Sequence, residues 1–214
     1  YDYDVARDTS SIVKQNEVPN FDPNLYECCR LWATAPDGTR VPISVVGLKG
    51  QIGKTPLPTL FYGYGSYGHS MDPRFSANRL SLVDRGFLFA ICHVRGGSDL
   101  GRAWYEAGRL LHKQNTFSDF IACADFMIQN GLTGKAQAFA MGGSAGGLLV
   151  GTVINQRPEL FRAVVAGVPF VDALSTMLDP SLPLTTLEYT QWGNPNEKLY
   201  YDYIKSYSPY DNVK

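Results

Sequence analysis

The stretch Phe139-Ala140-Met141-Gly142-Gly143-Ser144-Ala145-Gly146-Gly147-Leu148-Leu149-Val150 passes from one apolar segment through a glycine-flanked serine into a second apolar segment with no spacer. No other part of the chain restricts the fold as tightly. Strand, tight turn and helix follow one another, and a serine in such a G-x-S-x-G turn takes a strained conformation that lifts its hydroxyl clear of the backbone. Gly142 and Gly146 carry no Cβ, so strand and helix can approach closely, while the first amides of the helix point at charge developing beside Ser144. That arrangement suits acyl transfer. A glycine- and serine-rich turn also arises for packing alone, so the rest of the sequence has to decide between the two readings.

The chain has 214 residues, 44% hydrophobic and 18% charged, with a formal net charge of -1. This is the composition of a folded globular protein with a sizeable core, not of a disordered segment. Near-zero charge without a local Lys/Arg cluster leaves no electrostatic footprint for nucleic acid or an anionic membrane, so small molecules or peptides are the expected partners. No apolar stretch approaches the roughly 20 residues of a membrane span. The acidic start, Tyr1-Asp2-Tyr3-Asp4, is not an export signal. Cys28 and Cys29 are adjacent, and Cys92 and Cys123 lie in apolar segments. None has metal-ligand or redox spacing, which predicts buried thiols, a cytoplasmic location, and no metal or cofactor. An opening without methionine in a polar, Asp-rich run reads as a chain cut from something longer.

Residues 1–27 lack a sustained period and contain Pro19 and Pro23, so they read as a short strand at 1–5 followed by a linker, the tail of another domain. Two β-rich runs, 30–35 and 40–46, flank Pro36-Asp37-Gly38, the turn chemistry of an antiparallel hairpin. Pro42 places its missing N–H at an edge or a bulge. Beyond them, short apolar strands (57–62, 87–92, 137–141, 163–168) alternate with helical segments (77–84, 117–130, 145–156), the pattern of a mainly parallel sheet covered on both faces. Segment 145–156 is apolar nearly all round and predicts a buried central helix. After Val168 the chain reads as irregular, broken by Pro169, Pro180, Pro183, Pro195 and Pro209. Six tyrosines between Tyr189 and Tyr210 read as amphipathic core, with no role of their own.

A nucleophilic serine needs a base, and the expected order after an elbow serine is an acid and then a histidine. His69, His93 and His112 all precede Ser144. The chain is therefore expected to stop before its acid and histidine are reached. His93, at a strand end, reads as a satisfied structural histidine; His69 lies in a loop able to meet a substrate. Two further stretches carry chemistry. Tyr62-Gly63-Tyr64-Gly65-Ser66-Tyr67-Gly68 follows a sheet strand where a second oxyanion donor belongs, a backbone amide or the Tyr64 hydroxyl; the same residues also suit a plain glycine turn. In segment 183–193, Glu188 stands among apolar and aromatic residues. A partly desolvated carboxylate there would be satisfied by an Arg or Lys side chain of a substrate, unless it is an ordinary surface glutamate.

Taken together, Y-G-Y-G-S-Y-G, H-V-R-G-G-S-D-L-G, N-T-F-S-D-F, G-G-S-A-G-G and the run from W-G-N-P to S-Y-S-P-Y-D-N-V resemble the oligopeptidase B branch of the prolyl oligopeptidase family of serine peptidases. The likeness runs in order from about Val18 to Val213. It implies an α/β-hydrolase fold: a mostly parallel sheet with an N-terminal antiparallel hairpin, truncated at the C-terminus and occupying 18–214. Residues 1–17 would be the end of a preceding β-propeller and a linker. It further implies a serine endopeptidase that cleaves short peptides after Arg or Lys through an acyl-enzyme at Ser144. The Ala145 amide and Tyr64 hydroxyl would form the oxyanion hole, Glu188 would hold the basic P1 side chain, and Asp72 would serve the neighbouring subsite. Two positions depart from the pattern. Thr190 stands where a second P1 acid is frequent, and Arg74 replaces the second acid of the neighbouring subsite, which puts a preference for paired basic residues in doubt. With the triad Asp and His expected beyond Lys214, the 214 residues alone are expected to be inactive. The competing readings are an esterase or a family peptidase of other specificity, and a non-catalytic α/β-hydrolase-like binding module.

Overall fold

A computed structural model describes residues 1–213. A small antiparallel hairpin, β1 (Asp2–Asp4) and β2 (Thr9–Ser11), comes first. No residue of 1–17 joins either apolar core. The main sheet begins with β3 (Tyr26–Thr34) and β4 (Arg40–Leu48), paired antiparallel along their whole length. Their turn forms as its residues dictate: Gly38 has φ +84°, and the Asp37 carboxylate accepts the Thr39 N–H at 3.0 Å.

From there β5 (Thr59–Tyr62), α1 (Ala77–Val83), β6 (Leu88–Cys92), α2 (Arg102–Glu106), α3 (Gln114–Gln129), β7 (Ala138–Gly143), α4 (Ala145–Gln156) and β8 (Ala163–Gly167) follow. The strand order is β3-β4-β6-β5-β7-β8, antiparallel across β3-β4-β6 and parallel across β6-β5-β7-β8. This is the mostly parallel α/β-hydrolase sheet with a leading hairpin that the sequence predicts. Pro42, however, is not on an edge strand. Its carbonyl accepts the His93 N–H at 3.0 Å just past the last paired residue of β6, so the missing donor falls at the end of a ladder.

Helices α3 and α4 cover one face. Phe117, Phe120, Cys123, Ala124 and Met127 of α3 meet Leu148, Leu149, Val150 and Val153 of α4 in the larger core, all essentially inaccessible. Each such Leu, Val or Phe contributes about 2 kcal/mol by burial. On the other face α1 closes a smaller core around Leu60, Val83, Phe89 and Ile91. Coverage thins at β8, an edge strand whose Val165 is 55% exposed.

Two expectations need correction. The segment after Val168 is not irregular: it forms α5 (Ala173–Leu178), α6 (Thr185–Trp192) and α7 (Lys198–Lys205). Each is only six to eight residues long. That is too short to show a period between prolines or to stand alone in water, so packing on the sheet decides their structure. Tyr189, Tyr200, Tyr201, Tyr203 and Tyr207 join the core as expected, whereas Tyr210 is 69% exposed. The thiols are not uniformly buried either. Cys92 and Cys123 are, but Cys28 faces solvent and Cys29 is half-buried, because β3 is the opposite edge of the sheet.

Candidate active site

Strand β7 ends where α4 begins, and Ser144 makes the turn between them with φ 55° and ψ -117°. Holding a non-glycine residue there costs on the order of 1–3 kcal/mol. Four backbone hydrogen bonds secure it. The Ser144 N–H donates to Gly167 at 2.9 Å, and its carbonyl accepts from Gly147 (2.9 Å), Leu148 (3.2 Å) and Phe170 (3.0 Å). The side chain stays exposed while Ala145 is buried. A Cβ on Gly142 would lie 2.0 Å from the Gly146 carbonyl oxygen, and one on Gly146 would lie 2.7 Å from the Gly63 carbonyl oxygen. The missing side chains thus let α4 settle against the exit of β5, where Tyr64 follows Gly63.

Tyr64 meets the serine there. Its half-buried phenol lies beside the Ser144 side chain. Burial pushes the phenol pKa up, the Ser144 contact pulls it down, and the nearby Glu188 charge adds to the rise, leaving it raised overall. The group therefore remains a protonated donor through the neutral range. As the first residue of α4, Ala145 has no intrahelical acceptor for its N–H. A hydroxyl flanked by a phenol and a free amide can attack a carbonyl carbon and have the resulting oxyanion stabilised by two donors.

Glu188 lies in the first turn of α6, half-buried. Its Oε2 accepts the Tyr67 O–H at 3.0 Å and the Trp192 Nε1–H at 2.7 Å. Among the described residues no lysine or arginine pairs with it. Trp192 is walled by Tyr67 at 5.7 Å and Phe170 at 5.5 Å between ring centroids, and Tyr67 in turn lies 6.2 Å from the Tyr64 ring. Burial first, then the Glu188 charge, push the Tyr67 phenol far above its ordinary pKa, so it too stays a donor.

The other candidates separate. Asp72 is bound by Arg74 at 2.9 Å, both exposed, and no hydrogen bond joins it to Ser144, Tyr64 or Glu188 among the described residues. Thr190 donates to Leu187 O, and its carbonyl accepts from Arg109 at 3.0 Å. Two residues from Glu188 on a helix, it points to a different side. His69 sits edge-on to Tyr64 at 5.4 Å and helps line a hollow of about 470 Å³ with Tyr62, Tyr64, Tyr67 and Met71. Larger hollows, of 680 Å³ beside α3 and 550 Å³ on the β3–β4 face, do not include Ser144, Tyr64 or Glu188.

His93 is structural as predicted. It is 2% exposed, its Nδ1 donates to Asp99 at 2.7 Å, and its Nε2 lies 2.7 Å from Ser44 Oγ. Asp99 also takes the Met71 N–H at 3.0 Å, so this buried chain pins the loop carrying His69 and Asp72. No histidine among the described residues hydrogen-bonds Ser144. Sequence reasoning passed over Tyr67, Trp192, Asp99 and Lys113. Trp192 was within reach, since it follows Glu188 by four residues, the spacing of neighbours on a helix face.

The sequence profile of the prolyl oligopeptidase family matches residues 73–214, about two thirds of the chain. Dipeptidyl aminopeptidase BI of Pseudoxanthomonas mexicana is 52% identical over 203 residues, 94% of this chain and 28% of its own length. Protease 2 of Moraxella lacunata is 50% identical over 91% of this chain and 28% of its length. Among solved structures, oligopeptidase B of Trypanosoma brucei with covalently bound antipain superposes with a TM-score of 0.97 and 55% identity, covering 100% of this chain and 30% of that one. The chain thus spans under a third of the length of these relatives.

Proposed function

We propose that this chain, which belongs to the prolyl oligopeptidase family, carries the nucleophile, oxyanion hole and specificity carboxylate of a serine oligopeptidase that cleaves short peptides after Arg and Lys. The observation behind the reading is that one rim carries the Tyr64 phenol beside Ser144 and, reached through Tyr67, a Glu188 that pairs with no lysine or arginine among the described residues. In this mechanism Ser144 Oγ attacks the scissile carbonyl carbon, and the Tyr64 O–H and Ala145 N–H donate to the oxyanion. Collapse expels the amine and leaves an acyl-enzyme, which water hydrolyses. One such donor is worth about 3 kcal/mol in the transition state. The serine proton needs an acceptor, and among the described residues no histidine hydrogen-bonds Ser144, so the reading takes the triad Asp and His from sequence following residue 214. Residues 1–17, outside both cores, are read as the end of a preceding domain.

Glu188 binds the P1 side chain. Its Oε2 is occupied by Tyr67 and Trp192, while its charge has no counter-ion among the described residues. A guanidinium or ammonium entering this half-dry, aromatic-walled position restores neutrality through charge-assisted hydrogen bonds. Because Asp72 is already paired with Arg74, selection of a second basic residue is weak.

The test is hydrolysis of arginyl, lysyl and alanyl amides by the full-length protein. Basic substrates are expected to lead, and Ser144→Ala is expected to abolish turnover; arginyl turnover that survives Ser144→Ala refutes the proposal. A second reading, removal of amino-terminal dipeptides, is favoured by the 52% identical dipeptidyl aminopeptidase. It requires a free substrate amino terminus, so preference for N-blocked arginyl peptides decides against it. An esterase would favour uncharged esters, and a binding module would show no Ser144-dependent turnover.

A further inference from the structure

Lys113 is a buried cation with no carboxylate partner among the described residues; the other fully buried cation, Arg95, is bound by Asp119 and Asp37. Lys113 sits at the start of α3, 1% exposed. Its Nζ donates to the Gly65 carbonyl at 2.6 Å and the Ser66 hydroxyl at 2.9 Å, with Gly108 O more distant at 3.4 Å. The same ammonium lies 5.2 Å from the centre of the Trp192 indole and 5.9 Å from Phe117. An unpaired buried charge is costly, and here two carbonyls, the Ser66 hydroxyl and aromatic faces hold it.

Its neighbours are the two arms of the site. Gly65 directly follows Tyr64 and has φ +70°. A Cβ there would meet Thr116 Cγ2 at 2.3 Å, so the loop has one seat. Trp192 donates to Glu188. We propose that Lys113 is a positioning residue whose ammonium fastens the oxyanion loop at Gly65–Ser66 to the specificity helix at Trp192, setting Tyr64 and Glu188 relative to each other. This rests on the roles proposed above for Tyr64 and Glu188.

Burial pushes the Lys113 pKa down to about 7. The ionisable groups on the surrounding elements leave it the natural source of a neutral-range transition. Tyr203 and Tyr207 are raised by burial and uncharged. Glu106 and Arg109 pair with each other, as do Arg95 and Asp119. Glu188 stands behind Trp192, and His112 is exposed to solvent. Raising pH through about 7 therefore removes the charge over Trp192 and slackens both arms.

Three measurements on the full-length protein test this. The first follows the Trp192 resonance of 5-fluorotryptophan-labelled protein, assigned with Trp192→Phe, from pH 5 to 9. A transition that vanishes in Lys113→Met is expected, and it does not depend on activity. The second is sulfonylation of Ser144 by phenylmethylsulfonyl fluoride, which reads the oxyanion arm without P1 recognition; Lys113→Met should slow it about 30-fold, in keeping with the sensitivity of catalysis to ångström misplacement. The third is the pH profile of arginyl amide hydrolysis: Lys113→Arg, which cannot lose its charge, should move the alkaline limb upward. If Lys113→Met does not fold, the wild-type resonance and the arginine variant carry the test. A folded methionine variant with wild-type sulfonylation, or an arginine variant with an unmoved alkaline limb, overturns the proposal. A Lys113-dependent resonance in a protein without Ser144-dependent activity upholds the tether and refutes the peptidase reading instead.

Discussion

Replacing Glu188 by glutamine separates its charge from its structural duty. Glu188 Oε2 accepts from Tyr67 at 3.0 Å and Trp192 at 2.7 Å, and an amide oxygen in the same place accepts both bonds, so α6 keeps its seat. What disappears is the Coulomb attraction for a basic P1 group. At about 4 Å and an effective dielectric near 20, suited to a half-buried carboxylate, that attraction is about 4 kcal/mol. A neutral hydrogen bond from P1 to the amide recovers about 1 kcal/mol. The net loss of about 3 kcal/mol is roughly a 100-fold fall in kcat/KM for arginyl and lysyl amides, carried mainly by KM. Uncharged esters should change less than about threefold, because nothing touching Ser144 or Tyr64 moves. The assay pairs one arginyl amide with one uncharged ester on the same preparation. Equal losses on both refute the argument, since they mean that glutamine disturbed the rim itself. Spectrophotometric titration adds a check free of substrate: without the negative charge Tyr67 should ionise at lower pH than in the wild type, though still above an exposed tyrosine because burial is the larger cause of its shift.

Tyr64→Phe should lower kcat by about 10²–10³ with little change in KM, because the lost donor acts on the oxyanion and not on the ground state; a KM-dominated effect would place Tyr64 in binding instead. Arg95 holds the Asp37 carboxyl down to about 2 from its ordinary value near 4. A depressed folded-state value contributes stability above the unfolded pKa and loses it as pH falls toward about 2. Urea midpoints between pH 5 and 2.5 should therefore fall less steeply in Asp37→Asn than in the wild type, and parallel curves would rule the linkage out.

Legibility from sequence followed how local each determinant was. The elbow could be read because glycine spacing, apolar flanks and the strained serine are all within the twelve residues 139–150. The parallel strands could be read because burial on both faces leaves continuous apolar runs. The helices after Val168 could not, since α5, α6 and α7 owe their structure to the sheet beneath them. That miss propagated to the site: once 185–192 is a helix, Trp192 becomes the neighbour of Glu188, and Thr190 is turned away from it. Tyr67 was seen only as part of a glycine-rich turn, though its phenol bonds a residue 121 positions away. No local pattern marks such a contact.

Lys113 shows the same limit most sharply. In sequence it is one lysine in a polar stretch, where an exposed charge is the natural reading. In space it is sealed beneath the elbow's two partners, holding the carbonyl next to Tyr64 and facing the indole that bonds Glu188. Ser144 carries its own geometry from glycines and backbone bonds, whereas Tyr64 and Glu188 stand on a loop and a short helix with little rigidity of their own. A buried charge without a counter-ion is costly unless it is hydrogen-bonded, and here its acceptors lie at Gly65–Ser66 and Gly108 while α6 supplies the Trp192 ring face. Removing it should therefore leave the serine turn in place and loosen the two groups that give the serine an oxyanion site and a preferred substrate. This is why sulfonylation and P1 selectivity should fall together in Lys113→Met, even though Lys113 lies on neither element.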